Sequence, residues 1–373
     1  MQNTGLRRLA LRWALLLALL GAAPAIRAAS DGGADFQLTI EQGDTLTGLG
    51  QRWLADPRRW LELQRHNKLQ DPNRLAPGST LAIPLAWLRE QLTDLTVASV
   101  SGRASRADGT ALAVGDKLRE GAAIKTAADG YATIKLVDGS TLRVQSRSQL
   151  SIERARTLPG SDATETRVQL QSGQAEVQFK PATPKTSRFE IRTGFASAAV
   201  RGTEFRVAAG ERGTRTEATE GTIAFAGLPP KAGPAAPEES VPIPEGYGSI
   251  VDESRKPIAP VRLLAAPALP QEPVFQRAPA LRFAFPALEG AVSYRARLAA
   301  DADFQKMKGE TVLSQPEVSF SGLEVGSYVL KVRAIDKFGL EGRDAMALIG
   351  IEPDTRPASP APRSGWGAPA KGR

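Results

Sequence analysis

Cysteine is missing from all 373 residues, so disulfide bridges, a thiolate nucleophile and cysteine-ligated metal are excluded. Histidine occurs once, at His66, which removes zinc sites built from several imidazoles. No cofactor and no metal are expected. Without cross-links or a metal, stability has to come from hydrophobic cores, and the length is enough for two or three domains. The chain also has no dense Lys/Arg block, so a nucleic-acid partner has no support. After the first 25 residues no segment reads as a membrane span.

What is present begins with a basic stretch, Arg7, Arg8 and Arg12, and an apolar run from Trp13 to Ala25. That order reads as a secretory signal, with small residues at Ala23, Ala25, Ala28 and Ala29 for processing. As a helix the run spans roughly 21 Å, short of a ~30 Å hydrocarbon core. Residues 1–28 are assigned as the signal, with an uncleaved anchor as the competing reading. Arg7, Arg8, Arg12 and Arg27 supply four of the +8 formal charges, leaving a mature chain of +4. This implies export and a periplasmic location.

Periodicity divides the remainder into a multidomain, mainly β chain. In 36–84, Phe36, Leu38 and Ile40 alternate as a strand. Leu46, Leu49 and Trp53 then recur at helical spacing, as do Trp60, Leu63 and Asn67, and Leu81 and Ile83 close a second strand. The expected order is βααβ, with Trp53 and Trp60 in its core. A short helical linker is expected over Trp87–Leu95. From 97 to 226 the period is two, glycines are frequent, and Asp138-Gly139 marks a hairpin turn. Roughly a dozen strands and no helix are expected there. The prolines of 227–274 read as an extended connector, although Tyr247–Val251 has strand character. Residues 275–351 are β-rich again, with Tyr294, Ala296 and Leu298 on one face and Tyr328, Leu330, Val332 and Ala334 on another. Residues 352–373 read as a disordered tail.

The run Phe36-Gln37-Leu38-Thr39-Ile40-Glu41-Gln42-Gly43-Asp44-Thr45-Leu46, with Trp53, Trp60, Leu63, Asn67, Pro77-Gly78, Leu81 and Ile83-Pro84, resembles a LysM domain over nearly its whole length. The resemblance implies binding of N-acetylglucosamine-containing glycan, hence peptidoglycan. The turn before the first helix and the connection after the second belong at one end of such a fold. Gly43, Asp44, Thr45 and Leu46 are therefore candidates for one wall of a sugar groove, and Asn67, Lys68, Leu69 and Gln70 for the other. The competing reading is purely structural: turn geometry at Gly43, helix capping by Asp44 or Thr45, and helix termination at Asn67. His66 reads as ordinary surface.

Gly115-Asp116 through Asp138-Gly139-Ser140, Leu170-x-x-Gly173-x-Ala175, and Val200-Arg201-Gly202-Thr203-Glu204-Phe205 resemble the periplasmic β domain of FecR-type proteins. In the best-known members that domain senses an outer-membrane receptor and passes a signal across the inner membrane to a sigma factor. The signal-like start departs from the cytoplasmic domain and membrane helix of such regulators. A protein-interaction role through strand edges remains. Arg201, Glu204, Glu217 and Glu220 read as solvated surface or ion-pair partners rather than a catalytic pair. The Leu281-x-Phe283-x-Phe285 and Tyr328–Asp336 runs resemble a fibronectin type III-like sandwich, with Asp336 as a turn residue.

These readings lead to a non-enzymatic, wall-associated periplasmic adaptor whose β domains engage an unidentified envelope protein. The alternative is an envelope signal sensor related to FecR-type regulators. A glutamate-based wall-lytic enzyme is the more distant third.

Overall fold

The computed structural model describes residues 35–157, 163–179, 187–229, 240–277 and 279–353. The signal assigned to 1–28 and nearly all of the 352–373 tail lie outside them.

The amino-terminal module is βααβ in chain order: β1 (Asp35–Thr39), α1 (Leu46–Trp53), α2 (Trp60–His66) and β2 (Thr80–Pro84). The two strands pair antiparallel, Asp35 opposite Pro84 and Thr39 opposite Thr80. Neither helix nor hairpin can bury its apolar side alone. Together they enclose Leu46, Leu49, Leu63, Leu81 and Ile83, with Trp53 and Trp60 packed half-buried against this core. Pro57 opens a 3₁₀ turn between the helices, and the Asp56 carboxylate caps it by accepting from the Arg58 N–H at 3.0 Å.

The expected helical linker over Trp87–Leu95 is absent. Only Leu85–Trp87 makes a 3₁₀ turn, after which Gln91–Leu92 forms a strand against Gln149–Thr157. The exposed edge of that longer strand offers hydrogen bonds which a lone helical turn does not. Ala163, at the far end of the same hairpin, is fully buried in the module's core, so the module is held against the central β domain.

Strands from Gln91–Leu92 to Val261–Arg262 form one hydrogen-bonded set of 17. Its spine is the 16-residue strand Thr164–Phe179. The first half pairs with Gln149–Thr157 and, in parallel, with Arg188–Arg192; the second half pairs with Thr141–Val144 and Thr203–Gly210. The change of partners falls at Gly173, whose φ of +91° is unfavourable for other residues and whose missing side chain admits Ser148, with Cα 2.5 Å from where a Cβ would lie. Phe179, Phe189 and Phe205 meet in the core, with ring centroids 5.7 and 6.2 Å apart.

The 227–274 stretch is not simply an extended connector. Val241–Pro244, Tyr247–Asp252 and Val261–Arg262 are strands of the central set, while Pro230, Pro234 and Pro237 lie outside the described residues. Pro242 and Pro244 alternate with Val241 and Ile243, so both missing N–H groups fall on one side of the strand while Ile243 is fully buried.

The late β domain has a five-stranded sheet, with Gly326–Ile335 between Ser293–Ala299 and Ala345–Glu352, and a two-stranded sheet of Leu281–Ala284 with Glu317–Phe320. Its core is separate and includes Leu281, Tyr294, Leu298, Leu330 and Ile349. Asp336 is the turn residue its position suggests, Oδ1 accepting from the Phe338 and Leu340 N–H groups at 2.8 and 2.9 Å.

Candidate functional site

Two regions bear on function: the loop end of the amino-terminal module and the seam between the central and late β domains.

At the loop end, the Leu46 N–H donates to the Pro72 carbonyl at 3.3 Å, bringing the β1–α1 and α2–β2 connections together. Gly43 is an exposed turn residue at φ +91° with open space about it. Asp44 Oδ2 accepts from the Glu41 N–H at 2.8 Å, and Thr45 Oγ1 caps α1 by accepting from the Gly48 N–H at 3.1 Å. Leu46 is wholly core. Across the gap, Asn67 is a strut. Its Nδ2 donates to the Leu63 and Ala82 carbonyls at 3.0 and 2.7 Å, and its Oδ1 accepts from the Ala82 N–H at 2.7 Å. Both Nδ2 protons are used, leaving no side-chain donor for a sugar.

Lys68 is exposed and left-handed at φ +53°, Leu69 packs on the core, and Gln70 is exposed. Four of the eight expected contact residues, Gly43, Thr45, Lys68 and Gln70, therefore face solvent, while the others are largely committed within the fold. An open hollow on this module is lined by Leu61, Gln64, Arg65, Lys68 and Leu69, of which Lys68 and Leu69 belong to the expected groove wall.

The seam follows from strand alternation. In the late domain Tyr294, Ala296, Leu330 and Val332 point into the core, which turns Arg295, Arg297, Lys331 and Arg333 to the opposite face. Register sets Arg295 opposite Arg333 and Arg297 opposite Lys331. Like charges directly opposed are unfavourable unless acids cover them. The central domain helps to supply those acids. Its cross-strand register aligns Arg143 with Glu176, Glu176 with Arg206, and Arg206 with Glu217, a row of alternating charge.

The two faces interlock. Glu176 accepts from Arg297 Nη1 and, at 2.5 Å, from Arg333 Nη1. Glu341 takes Arg295 Nε at 2.7 Å and Arg333 Nη1 at 3.1 Å, while Glu310 takes Arg295 and Arg297 at 2.5 and 2.6 Å. Arg206 Nη2 donates to the Glu341 and Gly342 carbonyls, both at 3.0 Å. Burial raises the Glu176 pKa, but Arg333 and Arg297 outweigh it and hold the carboxyl well below the ordinary range. Asp344 is likewise raised by burial and brought down to about 2, chiefly by Arg333.

Glu217 goes the other way. Burial raises it against the pull of Arg206, and the nearby Glu341 charge raises it further. Of the two readings of Glu217, solvated surface is corrected and ion-pair partner stands, with Arg206 at 3.7 Å as the arginine; Glu217 is 3% exposed and beneath the late domain, where its Oε1 accepts from the Glu341 N–H at 3.2 Å. Arg201 and Glu220 are exposed, and Glu204 is half-buried and accepts from Gln178 Nε2. Among the described residues no three His, Asp or Glu side chains are grouped to hold a metal ion, and no helix is long and apolar enough to cross a membrane.

The FecR protein family model matches residues 122–224, the strands that build this central face. Residues 122–224 form a FecR-like β domain. No curated protein matches the chain. Similar solved structures include two of "a putative anti-sigma factor" from Parabacteroides distasonis ATCC 8503. The 2.50 Å structure is 18% identical, with 38% of this chain and 59% of that chain covered at a TM-score of 0.28. The 1.65 Å structure is 16% identical, with 41% and 77% covered at a TM-score of 0.29. The chain thus spans less than two thirds of the first of these relatives. The FecR-like domain contributes Glu176, Arg206 and Glu217 to the seam.

Proposed function

We propose that this protein is a non-catalytic envelope sensor of the FecR type, exported to the periplasm, whose FecR-like and late β domains work as one docked recognition unit toward an envelope protein partner. The family match over 122–224 carries this reading and favours it over a passive scaffold. The interlocked seam supports it, because Glu176 bonded to Arg297 and Arg333, Arg206 bonded to the Glu341 and Gly342 carbonyls, and Glu217 bonded to the Glu341 N–H tie the two domains in one mutual orientation. The late domain, read as a fibronectin type III-like sandwich, then serves as part of the recognition unit. Transcript profiling of source cells lacking the chain tests the proposal. A sensor changes one discrete group of transcripts, whereas a scaffold leaves transcription unaltered.

A wall tether through the LysM-like module is the second element. The βααβ order and the junction of its two loops at Leu46 and Pro72 favour it. Exposed Gly43, Thr45, Lys68 and Gln70 offer backbone and polar groups to acetamido and hydroxyl groups of peptidoglycan. Co-sedimentation of the full chain with purified sacculi, beside a chain lacking 36–84, tests it. Retention lost with the deletion supports the tether, and retention unaffected by it refutes the assignment. Soluble muropeptides in the same assay would instead reveal a lytic enzyme.

A further inference from the structure

The seam does not close everywhere. Between strands Tyr131–Lys135, Thr141–Val144 and Thr164–Phe179 on one side and Ser293–Ala299 with the following loop on the other, a cavity of about 80 Å³ remains. A single water needs roughly 10–15 Å³ by this kind of measure, so the space takes a group of several heavy atoms.

The lining is polar and cationic, including Thr133, Arg143, Gln145, Glu176, Arg297 and Lys331. Arg297 is 4% exposed and donates Nε to Glu310 and Nη1 to Glu176, which leaves Nη2 buried without a partner. The Nε of Arg143 is also buried and unpartnered. An unpaired buried donor bears its full desolvation penalty, the more so on a guanidinium.

Three cations line the space against Glu176 and Asp303. Glu176 is already shared between Arg297 and Arg333, and Asp303 is exposed. Lys331 lies 3.3 Å from Asp344, yet burial still draws its pKa down. Cations thus outnumber carboxylates in the lining, and a guanidinium fork matches planar or tetrahedral oxyanions.

We propose that this cavity binds a small oxyanion, a single carboxylate or phosphate group, held between Arg143 of the FecR-like domain and Arg297 of the late domain. Occupancy then strengthens the docking of the two domains, because the anion bridges donors that belong to each.

Calorimetric titration of the full chain with inorganic phosphate and, separately, acetate, at fixed ionic strength, tests the site and distinguishes the two anion types. The expected result is saturable one-to-one binding of at least one anion, weakened tenfold or more in Arg143→Gln and unchanged in Arg103→Gln, whose side chain is 80% exposed and paired with Asp129. The same anion raises the unfolding temperature of the parent chain in a saturable way, and does so less in Arg143→Gln. Thr133→Val is close to isosteric and weakens binding about threefold, which keeps the test decisive if Arg143→Gln fails to fold. Absence of saturable binding of either anion to the folded parent chain, or equal affinity in the folded variants, overturns the proposal and leaves the cavity to water.

Discussion

Arg333 Nη1 lies 2.5 Å from Glu176 Oε1, joining residues 157 positions apart and two β domains with separate cores. Both side chains are almost fully withdrawn from solvent, at 4% and 14% exposed. Charges in such a place are expensive to desolvate, and their mutual hydrogen bonds offset that cost. Removing one partner exposes the imbalance.

Arg333→Met deletes the cation shared by Glu176, Glu341 and Asp344 while keeping most of the side-chain volume. The expected loss is about 3–5 kcal/mol in urea-induced unfolding at pH 7. Arg103→Gln, at an exposed pair, leaves the midpoint unchanged. A loss below about 1 kcal/mol for Arg333→Met would show that the seam is not a tight junction.

Glu217 gives the seam a pH dependence of its own. In the unfolded chain its carboxyl ionises near the ordinary value of 4.5, whereas in the fold it keeps its proton up to about 7. The folded state therefore binds more protons between these values, and stability falls as pH rises through that window. Glu176, Glu341 and Asp344 are lowered, so their contribution is present above the ordinary carboxylate range and is lost only on acidification. Thermal unfolding from pH 5 to 8 should show a decline in the parent chain that Glu217→Gln flattens. Parallel curves would contradict the assignment.

Asn67→Ala removes the strut between α2 and β2 and leaves the Ala82 N–H without its side-chain acceptor. The expected cost is about 1–3 kcal/mol, read from the fluorescence of Trp53, Trp60 and Trp87 during denaturation. Gln70→Ala, at an exposed position, leaves that transition in place and weakens sacculus binding instead. If Asn67→Ala weakens binding with no change in stability, Asn67 is a ligand contact after all.

Much of the architecture was legible because local rules decide it. Alternation at Ala132, Ile134 and Leu136 and the Asp138-Gly139 turn specify a hairpin, and the Gly139 φ of +86° with Tyr131–Lys135 paired to Thr141–Val144 is that hairpin. The prolines of 242 and 244 misled because composition does not tell which side of a strand their missing donors face. Asn67 was visible as a helix end, but its partner Ala82 is 15 residues on. The seam was the least legible part. Alternation shows that Arg295, Arg297, Lys331 and Arg333 leave the late core, and four cations on one face were a sign that acids must cover them. Glu176 lies 121 and 157 residues from Arg297 and Arg333, a distance over which no periodicity carries information.

The most direct test of the sensor reading is transcript profiling of source cells in which the native chain is replaced by one lacking 97–226, beside cells whose chain lacks only 36–84. The expected result is that loss of the FecR-like domain reproduces the discrete transcript change caused by loss of the whole chain, while loss of the amino-terminal module abolishes sacculus retention. Unaltered transcripts in cells lacking 97–226, with the remaining chain stably present in the envelope, would contradict it.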